Sequence, residues 1–178
     1  LSFNGNKIIT TGGGGALITN EESIAKNARH LATTAKRPHQ FEYFHDQVAY
    51  NYRMPALNAA LGVAQIDRLE QYIQKKKVLA TSYMKRFSDL QCCKFNHEHI
   101  HSRSNNWLNS IRLADCCKKN QKQIITSLNE RKIGCRPLWS LLSDLPHLNS
   151  FPKMDMCSAR ELQRSIICIP SSPSLVNL

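Results

Sequence analysis

Apolar residues recur about every 3.6 positions between residues 56 and 87, which is the period of an amphipathic helix. The positions that keep this period are Leu57, Leu61, Ala64, Leu69, Ile73, Leu79, Tyr83 and Phe87. So long a helix is unusual in a globular domain, and we expect a bend or a break within it. An earlier helix is predicted after Asn20-Glu21-Glu22-Ser23, which supplies a cap and first-turn carboxylates. It carries Ile24, Ala28 and Leu31 and ends before Lys36-Arg37-Pro38.

Shorter apolar runs predict strands at residues 16–19 (ALIT), 107–113 (WLNSIRL), 133–138 and 166–170 (IICIP). Helices are predicted from about residue 115 and around residues 158–164, whereas the aromatic-rich residues 41–55 and the polar residues 94–106 read as loops. Alternating strands and helices indicate a small α/β domain in the C-terminal half. The predicted division places one domain at residues 1–88 and the small α/β domain at residues 89–178.

Composition is that of a soluble globular protein: 178 residues, 42% of them hydrophobic and 21% charged. Without an apolar run of about 18 residues, no membrane span is expected. The start, LSFNGNK, lacks the basic and apolar regions of a signal or transit peptide, so we expect a cytoplasmic protein. It also lacks an initiator methionine, and the sequence reads as a piece of a longer chain.

The formal net charge of +11 indicates an anionic partner. Nucleic acid is not expected, because no aromatic residues are interleaved with the basic runs Lys75-Lys76-Lys77 and Lys118-Lys119. A phosphorylated small molecule, such as a nucleotide sugar or a cofactor, fits the charge equally well.

Seven cysteines without a CxxC motif indicate a reducing compartment in which the thiols act as small hydrophobic side chains. His97, His99 and His101 could share one face of a strand. Since no cysteine or carboxylate ligands stand at a suitable spacing, a polar loop is the favoured interpretation and no metal site is expected.

The segment NGNKIITTGGGG places Lys7 between a turn dipeptide, Asn4-Gly5, and four glycines, Gly12 to Gly15. A P-loop would need its lysine after the glycines and a helix directly following, and GxGxxG is also absent. Two interpretations remain from the residues alone. One is a glycine-rich hairpin with a solvated lysine, and the other is a lysine held on a turn to attack a carbonyl group.

Four segments resemble those of the DegT/DnrJ/StrS sugar aminotransferases, which depend on pyridoxal phosphate. They are SFNGNKIITTGGGGALIT, HDQVAYNYRMPALNAALGVAQIDRLEQYIQKK, RPLWSLLSDLP and IICIPSSPSL, and together they extend from Ser2 to Leu175. The resemblance implies an α/β fold: the C-terminal part of a fold-type I transferase, with the end of the large domain followed by the small domain. The amino-acid sequences of these motifs are most similar to those of the branch that aminates UDP-linked 4-keto-6-deoxy sugars for bacillosamine or legionaminic acid synthesis.

The resemblance also implies roles for particular residues. Lys7 matches the Schiff-base lysine, Ser2 matches a serine that hydrogen-bonds the cofactor phosphate, and Asn51 matches an asparagine that reaches the phosphate in the neighbouring subunit of a homodimer. His45 and Arg53 lie in the same motif without an assigned role. Residues 171–173 border the substrate in relatives, and no substrate-binding residue is assigned. Gly13 stands where many relatives carry glutamate.

The implied reaction is transamination of a UDP-linked 4-keto-6-deoxy sugar with an amino acid donor, L-glutamate, in glycan precursor synthesis. The first half of the family's large domain, which supplies most of the cofactor cradle, lies outside this sequence. We therefore expect a fragment that is inactive on its own. Two alternatives stay open. The chain could be a non-catalytic remnant that folds or oligomerises without cofactor, or a basic module whose glycines hold a phosphorylated ligand.

Overall fold

The computed structural model describes residues 1–96 and 98–176. His97, Asn177 and Leu178 lie outside the described residues. The chain divides into two compact units, Leu1–Glu70 and Gln71–Leu178. The assignment of residues 1–88 and 89–178 to a large and a small domain of the family stays a prediction.

The first unit contains helix α1 (Glu22–Ala32), strands β1 (Lys36–Arg37) and β2 (Phe44–His45), and helix α2 (Ala56–Ile66). The prediction of α1 is confirmed, with Glu22 in its first turn. The predicted cap is not formed, because the side chain of the N-cap residue, Glu21, makes no capping hydrogen bond. The region predicted as an aromatic-rich loop contains β2, which pairs antiparallel with β1 over two residues. So short a hairpin has too little alternation for the sequence to reveal it.

The strand predicted over residues 16–19 is wrong. Antiparallel pairing at this point is a single bridge between Ser2 and Gly15, beside which Leu1 and Ala16 exchange two backbone hydrogen bonds of 2.7 and 3.0 Å. Among the described residues no backbone hydrogen bond continues this pairing to Leu17, Ile18 or Thr19. Apolar sequence alone does not make a strand when the backbone has no partner to pair with.

The predicted break in the long helical region is confirmed. Helix α2 ends at Ile66, and helix α3 spans Leu69–Phe87. Between them the amide of Arg68 donates to the carbonyl of Gln65 at 3.1 Å, an i to i−3 bond that tightens the end of α2.

The second unit is built on a four-stranded antiparallel sheet in the order β3-β4-β6-β5. Its strands are β3 (Cys93–Phe95), β4 (Asn109–Leu113), β5 (Arg136–Pro137) and β6 (Ile166–Ile169), and its shorter helices are α4 (Asp115–Lys118), α5 (Gln121–Glu130) and α6 (Cys157–Ser165). The predicted strands at 107–113, 133–138 and 166–170 are confirmed with shorter bounds, and so is the helix at 158–164. The single helix predicted from about residue 115 is divided into α4 and α5. The loop predicted over residues 94–106 is partly wrong, because Lys94 and Phe95 pair with β4.

The core of the second unit lies on one face of this sheet. Along β4, Ile111 and Leu113 are buried and Arg112 is exposed, as the twofold alternation of a strand requires. Cys93 and Cys135 belong to the same core and pack as small hydrophobic groups, as predicted. The prediction is wrong for Cys92, Cys116 and Cys157, whose side chains are exposed. Burial raises the pKa of the Cys93 thiol to about 11.

A charged side chain, Lys76 of α3, is buried in the second unit. It is 3% exposed, and its ammonium group donates to the carbonyls of Trp107 (3.1 Å) and Ser171 (2.5 Å). Burial lowers the pKa of Lys76. The lysine therefore ties α3 to the loop before β4 and to the loop after β6.

The four glycines of the first unit's glycine run have different structural requirements. Gly12 and Gly14 adopt positive φ angles of 78° and 117°, which other residues rarely adopt. Gly15 lies so close to the backbone that an added Cβ would stand 2.5 Å from the carbonyl oxygen of Leu1. Gly13 has neither constraint, since no atom of the described residues lies within 4 Å of its Cβ position.

We predict that Gly15→Ala disrupts the bridge to Ser2 and lowers the free energy of unfolding by about 1 kcal/mol or more, because backbone cannot move aside as a side chain can. Gly13→Ala is the matched control, and it should change the free energy of unfolding by no more than about 0.5 kcal/mol. Urea unfolding followed by far-UV circular dichroism measures both. Equal losses in the two variants would show that the Leu1 carbonyl places no special constraint on residue 15.

A second prediction concerns Lys76, whose pKa is lowered in the folded chain. The unfolded chain therefore holds this proton more tightly, and the charged form weakens folding until the pH rises through the folded pKa towards the unfolded value. The free energy of unfolding should consequently rise, relative to that of Lys76→Met, which has no proton to lose, over the alkaline range below the ordinary lysine pKa of 10.5. A difference between the two proteins that stays constant over this range would show that Lys76 has an ordinary pKa.

Candidate functional site

Lys7 lies half-buried on the loop of residues 3–14, which we call the Lys7 loop and which backbone hydrogen bonds close at its base. The amide of Lys7 donates to the carbonyl of Asn4 at 3.0 Å, which makes Asn4–Lys7 a turn. The Phe3 amide donates to Gly14 at 2.9 Å, and the Phe3 carbonyl accepts from Thr11 at 3.1 Å. Lys7 is therefore presented by a fixed backbone, as the Asn4-Gly5 dipeptide predicts.

Ser2 lies beside the base of this loop. It forms the antiparallel bridge with Gly15 and is exposed. Within the part of the chain that the structure describes, the Ser2 hydroxyl makes no hydrogen bond. It is therefore free to donate to a ligand.

Thr11 attaches the Lys7 loop to helix α2. It is 3% exposed, and its carbonyl accepts a hydrogen bond of 2.5 Å from the side-chain amide of Asn58. The methyl group of Thr11 lies 2.9 Å from the position that a Cβ on Gly62 would occupy, so α2 needs a glycine there. Sequence reasoning missed this attachment, although a glycine inside a helical pattern is a signal of close approach.

An apolar cavity of about 250 Å³ lies between the Lys7 loop and α2. Phe3 and Ile9 of the loop line it together with Met54, Val63 and Ile66. Its walls offer almost no polar group, so it does not provide the contacts that a phosphate or a charged cofactor would need.

Asn51 is positioned by the end of α1. Thr33 and Asn51 form an isolated antiparallel bridge, and the neighbouring amides of Tyr50 and Tyr52 donate to Leu31 (3.1 Å) and Ala32 (2.8 Å). The two tyrosine rings stack at a centroid distance of 5.0 Å. Asn51 itself is exposed, and its side-chain amide makes no hydrogen bond among the described residues.

Two residues of the same motif have structural contacts. His45 Nδ1 lies 2.7 Å from the carbonyl oxygen of Thr34, a residue held at a positive φ of 66°. Asp46, which sequence reasoning did not single out, binds Arg37 (2.8 Å) and His30 (2.7 Å). These hydrogen bonds, that from Arg37 first, lower the pKa of Asp46. Asp46 thus braces the segment that leads to Asn51.

The remaining residue of this motif, Arg53, is exposed. Residues 171–173, predicted from the resemblance to border a substrate, belong to the second unit. The Ser171 hydroxyl accepts a hydrogen bond from the backbone amide of Asn109 at 2.7 Å and donates one to the Ile169 carbonyl at 2.8 Å. Together with the hydrogen bond from Lys76, these contacts fix the start of this loop.

The three histidines near residue 99 form no metal centre with the residues that the structure describes. In residues 1–96 and 98–176, no group of three or more histidine, cysteine or acidic side chains is arranged to hold a metal ion. His99 and His101 have ring centroids 5.4 Å apart, whereas His97 lies outside the described residues. None of the described helices is both long and apolar enough to cross a membrane.

Known proteins with similar sequences include an aminotransferase and GDP-perosamine synthases. EpsN of Bacillus subtilis (strain 168), assigned by name to the pyridoxal phosphate-dependent aminotransferases, is 34% identical over 98% of this chain and 45% of its own length. The GDP-perosamine synthase of Escherichia coli O157:H7 is 31% identical over 99% of this chain and 47% of its own. The chain thus spans about half the length of the curated relatives it matches.

Solved structures share the fold. Aminotransferase PseC of Helicobacter pylori, involved in the biosynthesis of pseudoaminic acid, superposes with a TM-score of 0.91 at 23% identity over 98% of this chain and 47% of that one. The PLP form of Spr1654 from Streptococcus pneumoniae superposes with a TM-score of 0.83 at 21% identity, over 99% and 47%. The sequence profile of the DegT/DnrJ/EryC1/StrS aminotransferase family matches residues 1–177. The chain belongs to this family, and it corresponds to the C-terminal part of a fold-type I aminotransferase.

Proposed function

We propose that this chain supplies Lys7 as the reactive amine of a pyridoxal phosphate-dependent sugar transamination. The observation that carries the proposal is the half-buried position of Lys7 on a turn fixed at Asn4 and Phe3. A lysine on a fixed backbone is held in one place from which its amine can attack a carbonyl group, whereas an exposed lysine on a flexible segment is not.

The residues present fit part of a pyridoxal phosphate site. Such a site needs an amine for the aldehyde and hydrogen-bond donors for the phosphate. Lys7 supplies the amine, and the exposed Ser2 hydroxyl and Asn51 amide are donors without partners in the described chain. Ser2 and Lys7 are close in sequence at one loop, while Asn51 stands on a separate segment, which agrees with a role for Asn51 towards a second copy of the chain.

When bound, the cofactor supplies a carbonyl carbon that accepts the amino group and a ring that stores the electrons released from the substrate carbon. Ser2 would hold its phosphate by a hydrogen bond, and Asn51 would reach the phosphate bound by a second copy of the chain. Lys7 Nζ, once neutral, accepts the proton from the amino-bearing carbon of the donor. In the second half of the reaction the same Nζ would deliver its proton to the former keto carbon of the sugar, which thereby becomes an amino-bearing carbon, and Nζ would return to its neutral state.

The substrate that we propose is a UDP-linked 4-keto-6-deoxy sugar, with L-glutamate as amino donor, in surface glycan precursor synthesis. The names of the relatives support the class of nucleotide-linked amino sugars. Some are GDP-perosamine synthases, and others are transaminases of a UDP-linked 4-amino-4,6-dideoxy sugar. A net charge of +11 favours a substrate that carries a diphosphate.

We predict that incubation with pyridoxal phosphate, followed by borohydride reduction, labels this chain at Lys7. Peptide mapping by mass spectrometry should show one dominant adduct, because the fixed turn makes this amine more reactive than the other lysines. Lys7→Ala should lose that adduct, and Lys75→Ala, which removes a half-buried lysine of α3, should retain it. Adducts scattered over many lysines in the same pattern in both variants would contradict the proposed role of Lys7.

A further inference from the structure

A groove of about 560 Å³ lies in the second unit, between the segment that joins α4 to α5 on one side and α6 on the other. We call it the basic groove. Five of the side chains that line it are basic and one is acidic: Lys118, Lys119, Lys122, Arg160, Arg164 and Glu161. None of these six residues belongs to the Lys7 loop, and the transamination proposed above assigns no role to the basic groove.

The walls of the basic groove are joined by hydrogen bonds. The side-chain amide of Gln121, at the start of α5, donates to the carbonyls of Gln163 (2.9 Å) and Ile166 (2.8 Å) at the end of α6. Lys118 crosses the same gap to Glu161 at 3.0 Å. A ligand would therefore enter a groove whose width is already set, without a large ordering cost.

Some of the basic side chains are neutralised internally. Arg160 forms a two-pronged pair with Asp144 at 2.9 and 2.8 Å. Lys118 lies 2.6 Å from Asp115 as well as near Glu161. The Lys118 and Arg112 side chains hold the pKa of Glu161 below its ordinary value. This carboxylate is thus ionised and already committed to two cations.

The three other basic side chains of the groove are not neutralised by a carboxylate of the described residues. Among the described residues, no carboxylate pairs with Lys119, Lys122 or Arg164. They come from both walls of the groove and leave three positive charges around one concave surface. Concave surfaces concentrate the field of their charges, which favours a multivalent anion over a single chloride or carboxylate.

The lining also indicates what kind of anion would bind. No aromatic side chain of the described residues lines the groove, so nucleobases have nothing on which to stack. Arginine and lysine side chains suit phosphate oxygens, the arginine through paired N–H donors. We propose that the basic groove binds a compact phosphorylated small molecule, and that a diphosphate group is the part recognised.

The test is a titration of the 15N-labelled full chain, followed by NMR, with inorganic diphosphate at constant ionic strength. We expect saturable shifts in the backbone signals of Lys119, Lys122 and Arg164. Uridine diphosphate should bind with an affinity within about threefold of that of inorganic diphosphate, since the base has no stacking partner. Uridine diphosphate that binds over tenfold more tightly would assign recognition to the nucleoside and overturn the proposal.

A pair of matched variants separates the groove from the general charge of the protein. Lys119→Gln, Lys122→Gln and Arg164→Gln combined should weaken diphosphate binding by about tenfold or more, because three charge-assisted contacts to the phosphate oxygens are lost together. Lys85→Gln, Arg86→Gln and Lys94→Gln combined remove the same charge from exposed positions elsewhere in the unit and should change the affinity less than about twofold.

Equal weakening in the two triple variants, or shifts spread evenly over basic residues, would overturn the proposal in favour of non-specific attraction. A single-stranded oligonucleotide that binds the groove more tightly than diphosphate at the same salt would also overturn it, in favour of nucleic acid. The result is independent of the borohydride labelling at Lys7, because neither triple variant touches the first unit.

Discussion

The position of Lys7 depends on the attachment of its loop to helix α2 at Thr11. The hydrogen bonds of Phe3 close the base of the Lys7 loop. They do not attach the loop to the rest of the first unit. Asn58 and Gly62 fix it: one donates to the Thr11 carbonyl, and the other leaves room for the Thr11 methyl group. A buried carbonyl without this donor would destabilise the loop by about 1–3 kcal/mol.

Helix side chains also donate hydrogen bonds to backbone carbonyls in the second unit. Lys76 of α3 satisfies the carbonyls of Trp107 and Ser171, and Gln121 of α5 satisfies those of Gln163 and Ile166. In each case a long polar side chain on a helix reaches carbonyls of a loop or a helix end. Asn109 behaves differently, since its side-chain amide is buried without a hydrogen bond in the described chain. Loops in both units are thus held by side chains of helices as well as by their own backbone.

Local pattern was sufficient to predict the longer elements. The helices over residues 56–87 and the strand that ends at Leu113 are predicted from apolar spacing. Helix α3 buries Leu79 and Ala80, and β4 buries Ile111 and Leu113, whereas no residue of α2 is buried in this chain. The wrong predictions concern strands, because a strand forms only if it pairs with a segment that is distant in the sequence. Residues 16–19 have strand-like composition but no pairing partner in the described part of the chain. Strand β3 is only three residues long, so its alternation cannot be recognised from the sequence.

The site shows the same division. The turn at Asn4-Gly5 and the special conformation of the glycine run could be predicted, because turn dipeptides and glycines act locally. Sequence patterns could not distinguish Gly13 from Gly15, since the difference lies in the approach of the Leu1 carbonyl. Nor could they reveal the bracing of the Asn51 segment by Asp46, which joins residues from three separate positions in the chain.

Hydrogen exchange of the backbone amides of Phe3 and Thr11, compared between the chain and its Asn58→Ala variant, tests most directly whether the Lys7 loop is fixed before any cofactor binds. Both amides donate to backbone carbonyls across the loop base. We expect them to exchange at least about tenfold more slowly than the amide of Gly13, with most of this protection lost in Asn58→Ala. Rapid exchange of Phe3 and Thr11 in the unmodified chain, at the rate of Gly13, would show that the loop is not preformed and that Lys7 is not held by a fixed backbone.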